Sequence, residues 1–233
     1  MPFPTLSYNP QLLVCLERTV THERLDRYLR ATGDDIPRAV YLYEANVALC
    51  EALYGLLHGL EVAVRNAIHH ELTTSYGRPD WYELVRLSPH WHGELARAKR
   101  KIQQVTPDQP LAGKAVAELT FGFWVELLSR SHHNTLWMGM KLRRAFPHTS
   151  LDRQSIHTRL KSIQQLRNRI SHHERVLTTR KLFYFGSGFL TLNELLEPVE
   201  WICGATSIWL RNRFRYATAA WVLAKTATTG ARL

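Results

Sequence analysis

Glu44 to Ser75 reads EANVALCEALYGLLHGLEVAVRNAIHHELTTS, and the spacing of its apolar residues decides the fold class. Leu49, Leu53, Leu56, Leu60, Val64 and Ala67 follow one another at three or four residues. That is the repeat of one face of an α-helix, not the alternation of a strand. A long amphipathic helix is predicted here, stopped by Gly77 and Pro79.

The same period recurs on both sides. Gln11 to Ala31 is a first helix, closed by Thr32-Gly33-Asp34-Asp35 and Pro37. Pro89 to Val105 is a polar, basic helix followed by a loop over Thr106-Pro107-Asp108-Gln109-Pro110. Lys114 to Ser129 is an apolar helix carrying Leu119-Thr120-Phe121-Gly122-Phe123-Trp124. Asp152 to Thr178 is another strong helix, and Glu194 to about Thr226 closes the chain with a bend at Pro198 or Gly204. Lys181 to Gly188 reads equally as a short hairpin or an irregular loop. No segment alternates long enough to build a sheet, no linker rich in Pro, Gly or Ser divides the chain, and no repeat of 20–50 residues is seen. One all-α helical bundle over residues 1–233 is expected, its core or a subunit interface taking Trp124, Trp137, Trp201, Trp209 and Trp221.

The 233 residues are 45% hydrophobic and 10% aromatic, which excludes a disordered or low-complexity chain. Thirty Lys and Arg oppose 20 Asp and Glu, a net charge of +10. The excess is local. Residues 141–181 carry 11 basic groups against only Asp152 and Glu174, net +9, whereas residues 1–140 sum to −1 and residues 182–233 to +2. The expectation is an attracting field for a polyanion centred on that segment. Cys15, Cys50 and Cys203 are odd in number and widely separated, which fits neither a disulfide framework nor a zinc pattern. The first ten residues have no leader pattern and no membrane span is expected, so a cytoplasmic location is expected.

The chemistry concentrates in Gln165-Leu166-Arg167-Asn168-Arg169-Ile170-Ser171-His172-His173-Glu174-Arg175-Val176-Leu177. On one continuous helix, Ile163, Leu166, Ile170 and Leu177 share the buried stripe, and His173 points inward with them. Arg167, Asn168, Ser171, His172 and Arg175 share the opposite face. Asn168 and His172 are four residues apart, close enough for the amide to orient the imidazole. Arg167 and His172 are splayed by about 140° around the helix at 3.6 residues per turn. A second copy of the helix across a two-fold axis would surround one phosphate with two Arg and two His. Such a set suits RNA phosphodiester cleavage: His takes the 2′-OH proton, an acid protonates the leaving 5′-oxygen, and Arg stabilises the phosphorane. His132-His133 has no acidic neighbour and no H-E-x-x-H spacing occurs, so no metal or other cofactor is expected. Gly186-Ser187-Gly188 lacks the following Lys-Ser/Thr of a P-loop.

Arg167-Asn168-Arg169-Ile170-Ser171-His172 resembles the R-N-x-x-x-H signature of HEPN ribonuclease domains. Three blocks in order resemble the Abi-like, abortive-infection branch: Gly59 to His70 followed by Tyr76-Gly77 and Trp81-Tyr82, then Leu119 to Trp124, then the basic helix. The resemblance implies a helical bundle that dimerises and cleaves RNA without metal, as a toxin-like effector in phage defence. It implies Arg167 and His172 as the catalytic pair and Asn168 as the orienting residue, with Arg169, Ser171 and Arg175 toward RNA. Arg65-Asn66-Ala67-Ile68-His69-His70 aligns with Arg167 to His172, but Glu61 stands four residues before Arg65 and is expected to hold it in a salt bridge. Glu61, Arg65, Asn66, His69 and His70 are therefore read as a polar network that supports the motif helix or lies beside its site. A non-catalytic RNA-binding module and a helical protein that docks an antitoxin are the alternatives.

Overall fold

Asp35 opens the longest helix: its carboxylate accepts a hydrogen bond from the Arg38 N–H at 3.1 Å, the bond of an N-terminal cap. Pro37 then falls in the first helical turn, where its missing N–H costs nothing. In the computed structural model, which describes residues 10–105, 111–177, 183–185 and 188–213, this helix therefore begins before the expected Glu44. The helices are α1 (Pro10–Thr19), α2 (His22–Thr32), α3 (Ile36–Tyr76), α4 (Pro89–Val105), α5 (Leu111–Glu118), α6 (Phe121–Glu126), α7 (Arg153–Ser171), α8 (Leu192–Ile202) and α9 (Gly204–Arg213). Short 3-10 or π turns occupy Trp81–Glu83, Arg130–His132, His133–Gly139 and Leu142–Ala145. The fold is all-α. Among the described residues the one extended feature is a pair of three-residue strands, β1 (Phe183–Phe185) and β2 (Gly188–Leu190), joined antiparallel with Tyr184 opposite Phe189.

Three expected helices are each two. The first breaks at Thr21, whose φ of 73° no helix tolerates. The apolar one breaks at Thr120, which is extended at φ −69°, ψ 159°. The closing one breaks at Cys203, while Pro198 stays inside α8. The expected continuation beyond Arg213, with Trp221, lies outside the described residues.

The chain divides into two compact units. The first takes Met1–Leu56, Asn168–Leu192 and Arg213–Leu233; the second takes Leu57–Arg167 and Asn193–Asn212. In the first, Leu25, Tyr28, Val40, Leu42, Leu49, Leu53, Ile170, Val176 and Leu177 are buried. In the second, Leu60, Val64, Ile68 and Leu72 of α3 and Ile156, Leu160, Ile163 and Leu166 of α7 are closed to solvent. Trp81, Phe123 and Trp124 join them as an aromatic cluster with ring centroids 5.3–6.5 Å apart. Gly122 lies close beside this cluster: a Cβ there would sit 2.5 Å from the end of the Gln164 side chain and 3.1 Å from Trp91. Trp137 and Trp201 are buried, whereas Trp209 is 56% exposed, because its position on α9 faces away from the side that buries Leu210. α3 is long and apolar enough, by length and composition, to cross a bilayer. Leu42, Leu49, Leu53, Leu56, Leu57 and Leu60 of this helix are buried, while a third of its most apolar 18-residue window is buried overall.

Candidate functional site at the end of α7

Asp152 caps α7 through its carboxylate, which accepts the Ser155 N–H at 2.7 Å. The apolar stripe then runs through Ile156, Leu160, Ile163, Leu166 and Ile170, all buried, as the spacing predicts. The helix stops at Ser171, seven residues short of the expected Thr178. His173 takes a left-handed conformation, φ 56°. Its N–H donates to the Ile170 carbonyl at 3.0 Å, and the Glu174 N–H reaches back to the Arg169 carbonyl at 2.8 Å. These two bonds are a Schellman stop. The ion pair of Arg169 with Glu174, 2.9 Å, closes the same turn from the side chains.

The early stop changes what the motif residues do. His173 is exposed rather than turned inward, because the left-handed step takes it off the helical stripe. Arg175 is half-buried and no longer on the face of Asn168. Burial, followed by the nearby charges of Arg27 and Arg169, holds its pKa below the usual value, against the opposing effect of Tyr28. Asn168, Ser171 and His172 are exposed. His172 sits at the cap, its N–H donating to the Asn168 carbonyl at 2.9 Å. Among the described residues no side-chain hydrogen bond joins the Asn168 amide to the His172 imidazole; the bond linking the pair is a backbone one.

Arg167 is the last residue of α7 assigned to the second unit. Its Nε donates to Glu61 at 2.9 Å, across 106 residues of sequence. Glu61 therefore holds Arg167 and not Arg65, whose Nε donates instead to the side-chain Oδ1 of the neighbouring Asn66 at 3.1 Å. His69 is engaged elsewhere: its Nδ1 accepts the indole N–H of Trp81 at 3.0 Å. Burial, then the charges of His70 and Arg65, hold the His69 pKa below the ordinary value. His70 is exposed. The expected polar row on α3 is thus three separate contacts, since α7 and the Trp81 turn offer closer partners than the next turn of the helix.

The basic segment is not one open face. Arg159 pairs with Glu194 at 3.4 Å and Glu197 at 2.9 Å. Arg143 and Arg153 donate to the carbonyls of Thr149 and Leu128. Arg144 lies 3.9 Å from Glu71 and Arg167 pairs with Glu61, so acids distant in sequence match three of the eleven cations, while Arg169 pairs with Glu174 inside the segment.

Two features had no signal in the sequence. Asn46, 4% exposed, accepts the N–H groups of Val176 and Leu177 at 2.8 and 3.2 Å, fixing the chain that leaves the motif. Beside it in the first unit lies a cleft of about 560 Å³, lined by Arg24, Tyr43, Asn46, Val47, Cys50, Glu51, Tyr54, Ile170, Ser171 and His173. The Cys50 thiol is pushed up to about 12 by burial and by the Glu51 charge, so it is no nucleophile at neutral pH. Among the described residues no group of three or more His, Cys, Asp or Glu is placed to hold a metal ion. Comparisons with protein-family models, curated proteins and solved structures find no match.

Proposed function

We propose that the protein is a metal-independent endoribonuclease of the HEPN type, a cytoplasmic abortive-infection effector of the Abi-like branch that acts on RNA as a homodimer. The observation that carries this reading is the state of Arg167: Glu61 takes Nε and leaves both terminal nitrogens of the guanidinium uncommitted among the described residues. That is the arrangement a phosphate-binding arginine needs, one edge anchored and the fork free. Exposed Asn168 and His172 follow it within the next turn and the cap of the same helix.

The step is an in-line transfer. The ribose 2′-oxygen attacks phosphorus as a base removes its proton, the bond to the 5′-oxygen breaks, and an acid protonates that oxygen. The products are a 2′,3′-cyclic phosphate and a 5′-hydroxyl. Base and acid act on opposite sides of phosphorus, and each chain has one His172, so two copies supply the pair.

The test is cleavage of single-stranded RNA in EDTA by wild type, His172→Ala and Arg167→Ala. Wild type yields cyclic-phosphate ends, and His172→Ala loses at least about 100-fold in rate while RNA affinity stays within a few-fold. A wild type that binds RNA and leaves it intact overturns the enzymatic reading in favour of a non-catalytic RNA-binding module.

A further inference from the structure

The cleft beside the motif holds two side chains of opposite charge. Arg24 and Glu51 both line it, and among the described residues neither makes a hydrogen bond or ion pair. Tyr54 stands three residues beyond Glu51 on α3 and is 64% exposed, an aromatic face with no ring partner among the described residues. Val47 and Ile170 supply apolar walls, and Ser171 and His173, the residues on either side of His172, form part of the lining. Its volume, about 560 Å³, is that of a site for a molecule of nucleotide size.

These groups exclude some occupants. A carboxylate repels phosphate, so the Glu51 side suits a neutral group that donates hydrogen bonds. An open tyrosine ring suits a flat π-system, because bases stack on aromatic side chains whatever their identity. Arg24 suits the anion attached to that group. A nucleotide carries all three. Among the four RNA bases only guanine presents two adjacent donors, N1–H and the N2 amino group, to a carboxylate. Adenine and cytosine place an acceptor beside their amino group, and uracil flanks its single N–H with two carbonyls.

We propose that this cleft is a base-recognition pocket for single-stranded RNA, taking a guanosine next to the cleaved phosphate with its base stacked on Tyr54, its donor edge on Glu51 and its phosphate toward Arg24. The link to cleavage rests on the ribonuclease reading above; the binding of guanine nucleotide does not.

The experiment titrates the full-length protein with GMP, AMP, CMP and UMP by calorimetry, and separately cleaves RNAs that differ only in the base beside one scission site. GMP binds at least about tenfold more tightly than UMP, Glu51→Gln removes that preference, and Tyr54→Ala weakens GMP about tenfold. Wild type cuts beside G faster than beside U by a similar factor. GMP binding without RNA cleavage supports the pocket and sinks the ribonuclease reading alone. Cleavage with no base preference and no nucleotide binding overturns the pocket and leaves the ribonuclease reading standing. Equal binding of all four nucleotides also overturns it. So does a Tyr54→Ala protein that leaves GMP binding unchanged but changes oligomeric state in scattering, which makes this face a contact between protein chains.

Discussion

Trp81 is completely enclosed, and its single polar atom is satisfied by Nδ1 of His69. That bond requires an unprotonated Nδ1, which is the form that burial and the nearby charges already favour. The unfolded chain takes up a proton near pH 6.5, while the folded state resists it. Stability from this pair is therefore complete above that pH and is lost as pH falls toward the lowered folded value. Urea midpoints at pH 7 and pH 5 are expected to show the protein less stable in acid. His69→Ala costs about 1–3 kcal/mol at pH 7, from the orphaned indole N–H, and the pH 7 to 5 difference shrinks. It does not vanish, since buried His132 and half-buried His157 are shifted in the same direction by burial. The partnership of His69 was not readable beforehand. In sequence it extends a row with Glu61 and Arg65, and nothing local says that an indole will arrive from the following turn.

Elements were legible where a single period governed them and illegible where a backbone dihedral did. α4 has the bounds its pattern predicts. α7 does not, because Val176 and Leu177 continue the apolar content of the stripe and a composition count runs through the stop. Both are buried, but by the chain after the turn and not by another helical turn. A histidine in the left-handed region is a rare choice where glycine is common. His173→Gly is expected to raise stability by up to about 1 kcal/mol, and His173→Val to lower it, since a β-branched side chain opposes that conformation. Thermal melts of the two variants check this. If both behave alike, the turn is not held by the His173 conformation. The breaks at Thr21 and Thr120 escaped for the same reason, neither having a proline or an adjoining glycine, whereas the break at Cys203 adjoins Gly204, where a bend was expected.

At the scale of the whole molecule, net charge proved a poor guide to the available field. Eleven basic groups in residues 141–181 would, if all free, release enough counterions for a salt slope near −8 on single-stranded nucleic acid, at roughly −0.7 per phosphate neutralised. With Arg144, Arg159, Arg167 and Arg169 paired to acids and Arg143 and Arg153 hydrogen-bonded to carbonyls, at most five of the eleven remain, and a slope of about −3 to −4 is expected. Filter binding of an RNA oligomer between low and physiological salt measures it, and a slope beyond about −6 would mean the pairs open on binding. The pairs of Arg159 and Arg167 were hidden because Glu61, Glu194 and Glu197 lie outside the basic segment. Asn46 spans a longer interval still, 130 residues to Val176. Its two hydrogen bonds make the Val176 and Leu177 amides reporters of the first unit as a whole. In deuterium exchange these two sites, outside any helix, should open as slowly as the centre of α3 and only with it, and Asn46→Ala should turn them into fast-exchanging amides. The strip of chain that follows the motif is thereby timed to the cooperative unfolding of its unit and not to the fraying of a helix end.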